Sequence, residues 1–421
     1  MTEGRCPQID AARVIADLRE LDQRTGGPGG ARRLAWTEDW REARAFVGEL
    51  LSQLGVSSER DEAGNVWAWL QGDREPAVGI GSHLDSVPSG GWLDGALGVL
   101  TAVGVMRAWV AAGRQPPRSL ALVDWADEEG ARFGHSLFGS SAFSGTLDAP
   151  HVGELCDRSG RRLADVVAAD GVEIRRAREA GRRPARLACY LELHIEQGPV
   201  LEHRGLQAAA VSGCVGIERH RCRFIGRTGH AGTTPMGSRR DAGLAACSTA
   251  LELEQIAVRC GGTATTGSLV LRPGIPTAVP GEAELLVDLR HAGAAQLRVM
   301  LEAAVDAARA AAAARCCELR VERVWGIEPI EFDETLVALA RTACAEVTRS
   351  DFVLRSGALH DAAEVAHLLP VAMIFAPSIG GISHAPDEDT SEADLRAAID
   401  AFGRLCATAL TSWRPTSERA A

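Results

Sequence analysis

The apolar positions of the chain follow two rhythms. Residues 8–24 and the stretch after Thr37 repeat apolar side chains at helical spacing. Thr37 stands where an N-cap belongs, Glu38 and Asp39 follow in the first turn, and Gly55 closes the helix. The glycine-rich break GGPGG at 26–30 separates the two helices. Residues 65–70 alternate like a half-buried strand, while 77–81, 119–124 and 371–375 are short apolar runs of the kind buried on both faces. Residues 187–194 read as a further strand with a charged end, and 95–112 as a helix. Strands alternating with helices predict an α/β fold with a largely parallel sheet.

The middle of the chain has a different order. Strand-like 218–225 precedes a helix after Asp241, then come strand-like 267–271 and 283–289, an Ala-rich helix at 292–314 and strand-like 318–324. That β-α-β-β-α-β order predicts a ferredoxin-like α+β domain inserted into the first. The expected division is a discontinuous domain of residues 1–212 and 328–421 around an insertion of residues 213–327. Two domains also suit a chain of 421 residues, since single cores stop growing near ~250–300 residues.

Composition narrows the class. With 46% hydrophobic and 24% charged residues the chain is globular, not disordered. Its net charge of −11, without a basic face, argues against a nucleic-acid partner. The eleven cysteines are scattered and form no CxxC pair, which fits reduced thiols in a cytoplasmic protein better than a disulfide framework. No apolar signal core opens the sequence, and no apolar stretch approaches the ~18 residues of a membrane span, so a membrane is not expected as a partner.

Four segments carry candidate chemistry, each after an apolar strand. GSHLDSVPSGGWLDGALG, at 81–98, places His83 and Asp85 on one strand face and Asp94 in a Gly-rich loop. DWADEEG, at 124–130, sets Glu128 beside Glu129. LELHIEQG, at 191–198, carries His194, and GGISHAPDEDT, at 380–390, carries His384. Each segment alone is ambiguous between a site and solvated polarity. Together they bring three imidazoles and several carboxylates to the edge of an α/β sheet where ligands bind. Such donors suit divalent zinc, manganese, cobalt or nickel. Two ions with three protein ligands each, sharing one carboxylate, require five residues: His83, Asp94, Glu129, His194 and His384, with Asp94 shared. Glu128 then remains as a base, and Asp85 is placed to orient His83.

These motifs, with RLAWTED at 33–39, GHAGTTPMGSRRDA around His230, VDLR ending at Arg290 and SGALHDA around His360, resemble the N-carbamoyl-L-amino acid hydrolase, β-ureidopropionase and allantoate amidohydrolase family. That family is part of the group of two-metal aminoacylases and carboxypeptidases, and the resemblance spans nearly the whole chain. It implies a metal-binding catalytic domain and an inserted lid that also forms a homodimer. It implies two divalent ions per subunit, zinc first. One would be held by His83, Asp94 and His194, the other by Asp94, Glu129 and His384. Glu128 would be the general acid/base, His230 the donor to the developing oxyanion, and Arg290 the grip on a substrate carboxylate. Gln197 and His360 fall at positions near the substrate, and Arg239 reads as structural. The implied reaction is hydrolysis of a linear C–N bond in a small N-carbamoyl amino compound, with an allantoate-type hydrolase or an N-acyl amino acid amidase as alternatives. A metal-free binding or scaffold protein on the same fold is the reading from another class, and the intact ligand set weighs against it.

Two positions depart from the family pattern. Thr277, in PTAVPG, stands where the family has an Asn that contacts substrate, and Ile217, in GCVGIER, stands where it has a Gln. Both changes remove an amide that pairs with polar substrate atoms, which points to a less polar or larger substrate.

Overall fold

The structure is a computed structural model and describes residues 6–414. Residues 1–5 of the N-terminal stretch read above lie outside them. The chain divides into two compact units, one made of the residues up to Gly213 and from Glu331 onward, the other of Cys214–Ile330.

At the centre of the first unit four strands lie side by side and parallel: Leu120–Trp125, Ala77–His83, Leu187–Ile195 and Val371–Ala376. All four are buried along their whole length, which is why their sequences hardly alternate. Antiparallel strands flank them, Val66–Leu70 beside Leu120–Trp125 and Ala209–Cys214 beside Val371–Ala376, so the sheet is mixed. Helices cover both faces. On one, Ala11–Thr25, Ala96–Ala111, Glu334–Thr348 and Glu392–Thr411 bury Leu18, Val99, Leu336 and Phe402 in one core with Ile80, Leu122, Leu193 and Ile374. Ala96–Ala111 is apolar nearly all round because almost every side of it is buried. On the other face Trp36, Trp40, Phe138 and Leu163 form a second core.

Asp10, Asp333 and Ser391 cap their helices by accepting the backbone N–H of Arg13, Leu336 and Asp394. Thr37 occupies the expected cap position but does not cap. Its hydroxyl donates instead to the carbonyl of Leu34 at 2.6 Å, so Glu38–Gln53 begins without a side-chain cap. The short helices Phe138–Ser144, Ala149–Gly153 and Leu163–Ala169 had no counterpart in the sequence pattern. Five to seven residues are too few to display a helical period.

The second unit is an antiparallel sheet of four strands in the spatial order Glu318–Ile327, Gly216–Ile225, Glu282–His291, Thr263–Arg272. Helices Ala242–Cys260 and Ala294–Ala314 pack Leu253, Ile256 and Met300 against Phe224, Leu285 and Leu289. Arg221 pairs with Glu284 and Glu322 across the strands, and Arg223 with Glu282. Chain order and strand order are those of a ferredoxin-like fold. No helix among the described residues is long and apolar enough to cross a membrane.

Candidate metal centre

Because the four central strands of the first unit are parallel, their carboxyl ends share one edge, and the four chemistry-bearing segments emerge together there. His83 closes its strand. Its Nδ1 lies 3.0 Å from the main-chain carbonyl of Asp85. A carbonyl only accepts, so Nδ1 carries the proton and the Nε2 lone pair faces inward, 3.6 Å from Asp94 Oδ1 and 3.8 Å from Glu128 Oε2. His194 is oriented the same way, with Nδ1 2.9 Å from the carbonyl of Ile195 and Nε2 3.1 Å from Asp94 Oδ1. The other oxygen of Asp94, Oδ2, lies 3.3 Å from His384 Nε2, which is itself 3.4 Å from Glu129 Oε2. The donor atoms of His83, Asp94 and His194 lie within 4.8 Å of one another, and so do those of Asp94, Glu129 and His384. Asp94 thus presents one oxygen to each trio.

The expectation for Asp85 needs correction in its detail. Its carboxylate does not hold His83: Oδ1 is 3.7 Å from Nδ1, too far for a hydrogen bond. It accepts instead the backbone N–H groups of Glu128, at 3.2 Å, and Glu129, at 3.1 Å. Asp85 therefore orients His83 through its carbonyl and fixes the turn carrying the paired glutamates through its side chain. The preceding residue of that turn, Asp127, adopts a left-handed φ of 57° and is held by the indole N–H of Trp36 at 2.8 Å.

The electrostatics of the centre call for cations. Burial, and then repulsion from neighbouring carboxylates, pushes Glu128 and Glu129 well above the usual carboxylate range. Burial holds the His83 imidazole down to about 3. Burial opposes a charge on His194 as well, but its hydrogen bond to Asp94 prevails and raises it to about 9. Glu129 Oε1 is buried without a partner. Imidazole nitrogens and carboxylate oxygens that converge in this way are, once their protons are shed, a donor set for divalent ions, and the residues present fit two of them.

A third grouping, Glu192 with His194 and His360, is different in kind. Glu192 already accepts from Ser82 Oγ at 2.7 Å and from the N–H of Ala362 at 3.1 Å, and His360 Nε2 pairs with Ser356 Oγ at 2.9 Å. His360 packs at a tilt against His194, ring centroids 4.5 Å apart, as a buried neighbour of the centre. Gln197 donates from Nε2 to Asp94 Oδ2 at 2.8 Å and lies 3.3 Å from His384 Nε2, so its side-chain nitrogen braces the shared carboxylate. Reasoning from sequence passed over Glu388, which is 2% exposed and accepts the N–H of Asp94 at 3.1 Å. Nothing in the acidic run sets it apart from its exposed neighbours Asp387 and Asp389.

The second unit carries the remaining residues singled out from sequence. His230 is exposed in a short strand paired with Ala278–Val279. Its Nδ1 accepts the N–H of Gly232 at 3.1 Å and of Thr233 at 3.3 Å, which leaves Nε2 as the donor nitrogen of the neutral ring. Arg239 donates to the carbonyls of Ala231 and Thr234 and holds that loop. Arg290 is oriented by Asp288 at 2.8 Å, and Asp288 is tied in turn to Arg219. Thr277 is exposed, and its carbonyl accepts from Ala231 at 2.9 Å. Ile217 does not present an open surface: it is 1% exposed, on the strand position opposite Arg290.

Residues 79–408 match the profile of the peptidase family M20/M25/M40. The chain belongs to that family. Its likeness to individual proteins extends over nearly its full length. It is 36% identical to an N-carbamoyl-L-amino acid amidohydrolase of Geobacillus stearothermophilus, covering 92% of this chain and 95% of the relative. It is 34% identical to an allantoate amidohydrolase of Escherichia coli K12, covering 87% and 90%. A solved hydantoinase/carbamoylase family amidase from Burkholderia ambifaria superposes with a TM-score of 0.84 at 33% identity, covering 97% of this chain and 99% of that one. The mixed α/β fold is thus shared with that amidase over nearly the whole chain.

Proposed function

We propose that this chain is a dinuclear-metal amidohydrolase that cleaves the linear C–N bond of an N-carbamoyl amino acid or a close N-acyl relative. The observation that carries the reading is Asp94, one oxygen turned to each trio of donors with the Glu128 carboxylate alongside. His83, Asp94 and His194 would hold one ion, and Asp94, Glu129 and His384 the other, with zinc first and manganese, cobalt or nickel as alternatives. Ions bound there supply Lewis acidity, making a water nucleophilic near neutral pH and polarising the substrate carbonyl.

The protein's own groups do the rest. Glu128 takes a proton from the attacking water and later delivers it to the leaving nitrogen. His230 donates from Nε2 to the oxygen that becomes negative. Arg290, pre-oriented by Asp288, offers a planar fork to a substrate carboxylate. For a carbamoyl substrate, water adds to the ureido carbon and the C–N bond to the amino acid breaks. The products are the free amine and carbamic acid, which decays to carbon dioxide and ammonia.

An allantoate-type or N-acyl amino acid substrate is the alternative, and Thr277 and Ile217 in place of amide side chains favour the less polar N-acyl member. We further propose a small carboxylate-bearing substrate, a cytoplasmic location and a homodimer formed through the second unit, which would act as a lid.

Ammonia release from metal-loaded protein tests the reading. The panel holds N-carbamoyl, N-formyl and N-acetyl amino acids and allantoate, with amine release scored for the acyl compounds. Turnover of a carbamoyl substrate that disappears in Glu128→Gln is the expected result. A fully metal-loaded protein silent on every member would overturn it.

A further inference from the structure

His83 and His194 ride on adjacent, paired strands, so the sheet itself sets their spacing. His384 has no such support. It lies in a loop beyond Ala376 that passes through left-handed backbone at Gly380, Gly381 and His384, with φ of 64°, 65° and 55°. Trp92 Nε1 donates across to Asp389 Oδ1 at 3.3 Å near the surface, and the buried side chain of Glu388 ties this loop to the one carrying Asp94. Glu388 Oε1 accepts the N–H of Leu93 at 3.2 Å and of Asp94 at 3.1 Å. Its Oε2 accepts from Ser383 Oγ at 2.7 Å, and the same hydroxyl lies 3.2 Å from Asp94 Oδ2. Two main-chain N–H donors and one hydroxyl thus engage both oxygens of the carboxyl group. Gly91 makes room for it: a Cβ there would lie 1.9 Å from Glu388 Oε1. Buried Arg33 donates to the carbonyls of Leu84, at 2.8 Å, and Gly91, at 3.4 Å, and brings a cation within electrostatic reach of Asp94 and Glu388.

We propose that Glu388 is a positioning residue that fixes His384 against Asp94 and thereby sets the hold on the second ion more than on the first, two of whose three ligands ride on the sheet. The inference rests on the dinuclear reading above. It assigns Glu388 no contact with substrate, since both its oxygens are already occupied.

The test titrates metal-free full-length protein with Co(II), read by calorimetry and by the visible absorption of each bound ion. In Glu388→Gln the first ion should bind within about threefold of the parent, and the second roughly 10–100-fold more weakly, the range typical of lost outer-shell partners. Gly91→Ala keeps the carboxylate but fills its cradle, and should produce the same split. It also serves if Glu388→Gln folds poorly. Unchanged binding of both ions in the two variants, or equal weakening of both ions, would overturn the proposal. A parent protein that takes up fewer than two Co(II) ions would overturn the dinuclear reading, and this inference with it.

Discussion

His83 takes its orientation from the main-chain carbonyl of Asp85, 3.0 Å from Nδ1, and not from the Asp85 carboxylate, which stands 3.7 Å away and receives the N–H groups of Glu128 and Glu129. The two halves of one residue thus serve different parts of the centre. Replacing the side chain should leave His83 in place and loosen the glutamate turn. In Asp85→Asn one amide face still accepts while the other opposes an N–H. We expect kcat to fall by roughly 10–100-fold with the affinity of the first ion unchanged. Steady-state kinetics with metal analysis of the same samples checks this, and loss of the first ion would show that the carboxylate matters to His83 after all.

Metal uptake should release protons. In the metal-free protein Asp94, prevailing over burial, leaves His194 with an affinity for its proton near pH 9, and Glu129 also stays protonated well above the usual carboxylate range. A ligand must shed its proton before it binds. Below about pH 9 the ion held by His194 therefore competes with a bound proton, and affinity should rise with pH by about tenfold per unit for each proton displaced. Above that value the His194 contribution levels off. Calorimetry in buffers of different ionisation enthalpy counts the protons, and a count of zero at pH 7 would contradict the charge state derived for His194.

Two glycines at the ends of one helix should respond differently to the same substitution. Gly95 has φ +64°, and a Cβ on it would lie 2.4 Å from the His83 ring. Gly113 has φ +61° with nothing within 4 Å. Gly113→Ala should cost only the left-handed backbone penalty, about 1–2 kcal/mol, with full metal content. Gly95→Ala adds a collision with a proposed ligand, so metal content should fall as well. Melting temperature and bound metal, measured on both, separate the backbone cost from the collision.

The five proposed ligands could be read from sequence because each follows an apolar strand, and parallel strands bring such ends to one edge. What holds those side chains could not. His83 and His194 are oriented by carbonyls of Asp85 and Ile195, and every residue type supplies a carbonyl. Gln197 was visible as a polar residue of the right motif, but its bond to Asp94 depends on how two distant loops meet. Ile217 was singled out for the amide it replaces; it is 1% exposed, and it pairs across the strands with Arg290, the proposed grip on the substrate carboxylate. The ferredoxin-like unit was legible because its two long helices and four strands each display their own period.

Thr277 offers the most direct handle on substrate choice. It is exposed, its carbonyl receives the N–H of Ala231, and the next residue, Ala278, pairs with His230. The backbone at this position is therefore fixed to the strand that carries the proposed oxyanion donor, and an Asn there would project from the same anchored point. A threonine hydroxyl cannot reproduce the paired donor and acceptor of an amide. If a plain N-carbamoyl amino acid leaves one polar group unmatched here, the deficit is about 1–3 kcal/mol, or roughly 5–150-fold in kcat/KM. Thr277→Asn should recover a gain of that order on such a substrate while leaving metal content and melting temperature unchanged. The same variant should lose activity on substrates with a larger apolar group. Equal kcat/KM values for parent and variant across the panel would remove Thr277 from the specificity argument and leave the departure at this position unexplained.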